Sequence, residues 1–293
     1  MSRMQTICLI GFGEVGQVLA ADLKSRAADL ALWDLLFADR GSGPSVAAKG
    51  FRKGASAEDA ATNATLVVSA VTAAQALNAA QSVADSIAKG AWFLDLNSAS
   101  PGVKIAAADV INAAGGRYIE AAVMSPIGPK RIASPMLLGG AHAEAFVPIA
   151  RSIGLTGVRV FSSDYGKASA AKMCRSVIVK GVEALLTESL LTARRYSVEE
   201  TVVSSLSDLF PGPDWSELSR YMISRTLEHG KRRAEEMREV ARTVEEAGLS
   251  PLMSSACAER QDRSAAFAYA LSCDSLPDML DAILDGAGAE RAL

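Results

Sequence analysis

A chain of 293 residues is long for one compact core and comfortable for two, because single cores stop growing at roughly 250–300 residues. Its 49% apolar content can fill both cores, and a formal net charge of −3 leaves no basic excess, which argues against a nucleic-acid partner. Cys8, Cys174, Cys257 and Cys273 are scattered without a CxxC pair or companion histidines, so they read as reduced thiols and no metal site is expected.

The start, MSRMQTICLIGFGEVG, runs from a short polar segment straight into a strand and a glycine turn, with no signal-peptide pattern. No stretch is apolar for the roughly 18 residues a membrane span needs, and a cytoplasmic protein with no membrane partner is expected. In chain order, TICLIGF (6–12), LALWDL (30–35), TLVVSAV (65–71), AWFLDLN (91–97), GRYIEAAVM (116–124), SPMLLGG (134–140) and GVRVF (157–161) predict strands. Alanine-rich segments such as 14–27 and 73–88 predict the helices between them, and the alternation is that of a doubly wound, mostly parallel α/β sheet. After Phe161 apolar residues recur at three-to-four spacing without a strand-like run, so a long buried helix starts near Lys167. Helices interrupted at PGP (211–213), at 248–251 and at Pro277 fill the remainder, and the closing GAGAERAL reads as a mobile tail.

GFGEVG sets Gly11, Gly13 and Gly16 in the G-x-G-x-x-G frame, directly after a strand and at the opening of a helix. Gly11 permits the tight turn, Gly13 lets the backbone approach a pyrophosphate, and Gly16 lets helix and strand pack closely. The uncapped N–H groups of the helix start then favour phosphate charge. Asp34 ends the second strand, where a carboxylate accepts hydrogen bonds from an adenosine ribose and repels a 2′-phosphate. NAD is therefore favoured, although Arg40 a few residues on leaves NADP open. S-adenosylmethionine enzymes share both features, so these two alone leave the cofactor undecided. For a dinucleotide the expected contacts are Gly11, Phe12, Gly13, Glu14, Val15 and Gly16, with Asp34, Val71, Thr72 and Asn97 at the strand ends. The expectation is a dinucleotide-binding Rossmann domain over 1–162 and an all-α domain over 163–293.

Further segments carry a resemblance. Asp95-Leu96-Asn97-Ser98-Ala99-Ser100-Pro101 is similar to a D-x-[SN]-[ST]-x-x-P segment, and Gly166 through Lys172 to Arg175 is similar to G-x-x-x-x-x-K-x-x-N. On these the chain resembles the β-hydroxyacid dehydrogenase superfamily, which includes 3-hydroxyisobutyrate and 6-phosphogluconate dehydrogenases. The runs 175–186 and 229–237 are similar to a 6-phosphogluconate-dehydrogenase-like branch with a C-terminal domain of unknown function. The resemblance implies a catalytic lysine at Lys172, an all-helical substrate domain and a homodimer with intertwined C-terminal halves. Two departures put the substrate in doubt: Arg175 stands where the family has asparagine, and Glu120-Ala121-Ala122-Val123-Met124-Ser125-Pro126 replaces D-A-P-V-S-G-G.

Oxidising an alcohol sends a hydride to nicotinamide while a base takes the hydroxyl proton, and reduction reverses both. Lys172 suits that role if apolar surroundings and the nearby Arg175 lower its pKa; the other reading is a helix lysine snorkelling to solvent. Arg175 is either a clamp for an anionic substrate, which its fork suits, or a partner for an acidic side chain. Asn97 and Ser98 lie at the carboxyl edge where ligands bind, or else form a helix-cap pair before Pro101. Ser125 either touches substrate or shapes its proline-rich turn. His229 sits in a charged helix with an apolar stripe on Leu227, Met237, Val240 and Val244, as a surface residue or as part of the site. The sequence thus points to an NAD(P)-dependent dehydrogenase or reductase of a small, anionic hydroxy acid or related carbonyl compound. An imine reductase and a non-catalytic dinucleotide-binding regulator are the alternatives, and a lysine in this motif speaks against both.

Overall fold

The apolar runs of the first half become the strands of one sheet in the computed structural model, which describes residues 6–27 and 29–290. They are β1 (Thr6–Ile10), β2 (Asp29–Trp33), β3 (Arg52–Lys53), β4 (Leu66–Ser69), β5 (Trp92–Asp95), β6 (Arg117–Val123), β7 (Met136–Gly139) and β8 (Val158–Ser162). Their order is β3-β2-β1-β4-β5-β6-β7-β8. All neighbours are parallel except β6 and β7. The order reverses at β1, between β2 and β4, and the carboxyl ends beside such a switch point are where α/β sheets bind ligands. β4 and β5 are buried at every position, as parallel strands covered on both faces must be.

Helices α1 (Glu14–Leu23), α2 (Gly43–Ala47), α3 (Ala57–Ala61), α4 (Ala76–Ala84), α5 (Pro101–Ala113), α6 (Ile127–Lys130) and α7 (Ala143–Ser152) connect the strands. Alternation along β1 assigns them to faces. Ile7 and Leu9 share a core with Leu19 and Leu23 of α1 and Phe146 of α7. Cys8 and Ile10 join the alanine-rich faces of α3, α4 and α5 through Ala60, Val83 and Ile111. β3 is the strand the sequence pattern did not predict. It is two charged, exposed residues held by parallel pairing to β2 and by an Arg52–Asp29 ion pair of 3.1 Å.

The remainder is all helical: α8 (Lys167–Arg195), α9 (Glu199–Leu209), α10 (Trp215–Glu246), α11 (Leu252–Ser264) and α12 (Leu276–Glu290). By packing the chain divides into units Met1–Met173 and Cys174–Leu293. The division lies inside α8, later than the end of the last strand, because the first turns of α8 pack on the sheet unit. Ala168 clusters there with Ala122 and Leu137.

In the helical unit Ile223 and Leu227 of α10 form a core with Leu190, Met279, Leu280 and Ile283. Asp214 after the PGP break caps α10 by accepting from Ser216 and Glu217. Pro277 stands in the first turn of α12 rather than in a break, where its missing N–H costs nothing. Residues 286–290, expected as a tail, continue α12, and 291–293 lie outside the described residues. At Gly286 the lack of a side chain lets the Tyr269 hydroxyl lie against the helix, where it donates to the Ala282 carbonyl. Cys8 and Cys257 are buried, Cys273 is half-buried and Cys174 is exposed. Among the described residues no helix is long and apolar enough to cross a membrane.

Candidate active site

The glycine turn is built from two constraints and one opening. Gly11 has φ +94° and a Cβ there would stand 2.4 Å from the Ala70 carbonyl oxygen, so conformation and space both require glycine. A Cβ on Gly16 would stand 2.1 Å from the Gly11 carbonyl oxygen. Around a Cβ at Gly13 there is nothing within 4 Å. Gly13 is the N-cap of α1 and offers no side-chain cap, so the helix start keeps amide groups for an anion. Glu14 is exposed in the first turn and Val15 packs on the core beneath.

Asp34 fixes the turn to the end of β2. Its carboxylate accepts from the Phe12 amide at 2.6 Å and from the Leu36 amide at 2.8 Å. The ring of Phe12 is buried against Phe37 and Phe51, which leaves its backbone at the turn. These residues fit a dinucleotide: an open glycine, an uncapped helix start and an acidic strand end.

Asn97 is 3% exposed and joins the ends of β4 and β5. Its Oδ1 accepts from the Val71 amide at 2.7 Å and its Nδ2 donates to Ser69 Oγ at 2.9 Å. Thr72, one residue on, is exposed. The cap of α5 is Ser100, whose hydroxyl accepts from Val103, so neither Asn97 nor Ser98 serves that end. Ser98 Oγ instead accepts from Lys172 Nζ at 2.6 Å. The lysine, half-buried on α8, thus lies at the carboxyl end of β5.

Beneath these residues lies a polar layer, in which Asp95 and Glu120, quoted above only as members of motif segments, join Lys104 and Tyr118, which the sequence reading did not single out. Asp95 and Lys104, 0% and 1% exposed, form an ion pair of 2.8 Å. Tyr118 Oη donates to Asp95 at 2.7 Å, and the Asn97 amide donates to Asp95 Oδ1 at 2.8 Å. Burial, then the Asp95 charge, pushes the Tyr118 hydroxyl well above its ordinary pKa, so it stays a donor. Glu120, fully buried in β6, accepts from the amides of Gly166 at 2.6 Å and Ser169 at 2.5 Å. Burial pushes its carboxyl up, opposed by Lys104 and by those two amides. The sequence signal was a charge inside an apolar run, as in RYIEAAV and PGVKIAAADV.

Three further residues were expected at the site: Ser125, Arg175 and His229. Ser125 donates to the carbonyl of its own neighbour Pro126 at 3.2 Å. Arg175 is exposed on α8 and His229 lies on α10, both in the helical unit. His229 Nε2 is 3.3 Å from Glu228. Burial, then the Arg225 and Arg232 charges, lowers its pKa and favours the neutral ring.

A glycine turn tied to an acidic strand end, at the switch point of a mostly parallel sheet, defines a Rossmann-type dinucleotide-binding unit. Residues 6–161 match the NAD binding domain of 6-phosphogluconate dehydrogenase, and residues 193–264 match a domain of unknown function, DUF1932. The chain belongs to the 6-phosphogluconate dehydrogenase-like, hydroxyacid dehydrogenase family. A conserved hypothetical protein from Sinorhizobium meliloti 1021 has 35% identity and a TM-score of 0.73, over 96% of this chain and 97% of that one. Mitochondrial 3-hydroxyisobutyrate dehydrogenase of Drosophila melanogaster is 23% identical over 72% of this chain and 65% of its own length. The 3-hydroxyisobutyrate dehydrogenase of Mycobacterium tuberculosis, solved with L-serine, shares the fold at 16% identity and a TM-score of 0.68, over 97% of this chain and 99% of that one.

Proposed function

We propose that this protein is a nicotinamide-dependent dehydrogenase or reductase of a small anionic hydroxy acid or related carbonyl compound, with NAD preferred and Lys172 as general acid/base. The observation that carries the reading is the Lys172–Ser98 hydrogen bond of 2.6 Å. It holds an amine at the carboxyl end of β5, on the sheet edge that also bears the 11–16 turn.

The dinucleotide is held by the backbone of Gly11 to Gly16, by Asp34 at the ribose, and by the loop of Val71 and Thr72 that Asn97 braces. When bound, nicotinamide supplies the hydride acceptor or donor. Lys172 moves the proton at the substrate oxygen, and the Ser98 hydroxyl orients its amine. Arg175, three residues along the same helix, grips the substrate's anionic group with its planar fork. The Asp34 carboxylate opposes the 2′-phosphate of NADP. Two copies assemble through the helical unit, in keeping with the apolar side chains it leaves exposed.

The test is turnover of NAD and NADP with a panel of 3-hydroxy acids that includes 3-hydroxyisobutyrate and L-serine. Lys172→Ala is expected to lose about 10²–10⁴-fold in kcat, and Arg175→Ala to raise KM chiefly, with NADH binding intact in both. Binding of NADH without turnover of any hydroxy acid would count against the enzyme and for a dinucleotide-binding regulator.

A further inference from the structure

We infer that Glu120 is a positioning residue for Lys172: its carboxylate, presented from inside the sheet by β6, caps the first turn of α8 and so sets where the lysine amine lies. The inference rests on the reading of Lys172 as the acid/base and names what holds it in place.

A carboxylate in the middle of a buried strand is costly unless its oxygens are hydrogen-bonded. In register Glu120 stands between Asp95 on β5 and Gly139 on β7, and its two oxygens take the amides of Gly166 and Ser169. A helix start leaves four N–H groups without partners, and a side chain at the N-cap usually takes one of them. Here the N-cap is Gly166, whose carbonyl accepts the first helical bond from Ala170 at 2.8 Å and which has no side chain to offer. One carboxylate from the sheet therefore serves both amides that a capping box divides between two residues, and its charge suits the helix N-terminus. Gly139 makes room for it, since a Cβ there would stand 2.7 Å from Glu120 Oε2.

A second tie acts in another direction. The Ser169 hydroxyl donates to the Ala99 carbonyl, one residue beyond Ser98. The start of α8 is thus fastened to β6 by Glu120 and to the Ser98 loop by Ser169. Lys172 follows Ser169 by three residues, on the same helix face. Misplacing a reacting group by about 1 Å can cost on the order of 10²-fold in rate, which gives such a clamp a catalytic consequence.

The experiment uses the whole chain and a small amine-acylating reagent, with labelled lysines mapped by mass spectrometry across pH. In Glu120→Gln the amide cannot accept from both N–H groups, and labelling of Lys172 should rise roughly fivefold, the population change that a lost cap produces. Its pH profile should move toward that of Lys167, which is exposed on the same helix, while buried Lys104 stays protected. Gly139→Ala, which crowds Oε2 and keeps the charge, should act in the same direction. Unchanged Lys172 labelling, or a parallel rise at Lys104 from general unfolding, overturns the proposal. If neither variant folds, hydrogen exchange in the wild type decides: the Gly166 and Ser169 amides should exchange as slowly as those of β5, and fast exchange there overturns the cap. A chain that turns over no hydroxy acid would reject the role of Lys172 and leave the labelling result standing, so the two failures are distinguishable.

Discussion

Gly13 separates two demands that a glycine turn combines. Gly11 and Gly16 are required by the chain itself, because added Cβ atoms would stand 2.4 and 2.1 Å from backbone oxygens. Gly13 meets no neighbour, so the fold tolerates a side chain that a pyrophosphate does not. Gly13→Val should therefore lose at most about 1 kcal/mol of stability, the effect of a poorer N-cap, while NADH affinity falls by more than about tenfold. Fluorescence titration and thermal unfolding read the two separately, and unchanged affinity would sink the assigned turn. The 11–16 turn and Asp34 were legible in the sequence because their chemistry is set by local spacing. The pairing of Asp95, Lys104 and Glu120 was not, because their partners come from other elements and become neighbours only when the sheet is assembled.

At the scale of elements, runs of β-branched and leucine residues marked every strand that is buried, and β3 escaped because pairing alone makes Arg52 and Lys53 a strand. The stripe on α10 was legible in the same way: Leu227, Met237 and Val240 are buried and Val244 partly so. What periodicity did not reveal is how closely α10 meets α11. A Cβ on Gly230 would lie 2.4 Å from the Gln261 carbonyl oxygen, so Gly230→Ala should destabilise by about 1–3 kcal/mol through overpacking. In Gly181→Ala, on α8, the new methyl has nothing within 4 Å and should stabilise by about 0.4–1 kcal/mol by restricting the unfolded chain. Urea denaturation of the two variants should give shifts of opposite sign; equal shifts would mean that helix propensity, not the α10–α11 approach, governs both.

At the scale of the whole molecule, the helical unit leaves large apolar side chains exposed. Ile178 and Leu185, seven residues apart on α8, are 70% and 57% exposed, and Leu252 on α11 is 76% exposed. Large apolar side chains exposed two turns apart on one helix suit a contact, and a second copy is the occupant proposed above. Sedimentation at micromolar concentration should give about twice the chain mass of 30.6 kDa, with Ile178→Glu shifting it toward the monomer; a stable wild-type monomer refutes the assembly.

The cysteines have a consequence of their own. Burial pushes the Cys8 thiol, inside the sheet, up to about 12. Burial and the Glu183 charge push the Cys257 thiol, on α11, up to about 11, and its Sγ donates to the Lys180 carbonyl at 3.1 Å. A thiol of that kind is inert to alkylation until its surroundings open. Each unit thus carries its own internal reporter: a short pulse of maleimide that modifies Cys8 but spares Cys257 dates the opening of the sheet, the reverse pattern dates the opening of the helices, and exposed Cys174 supplies the clock against which both are timed.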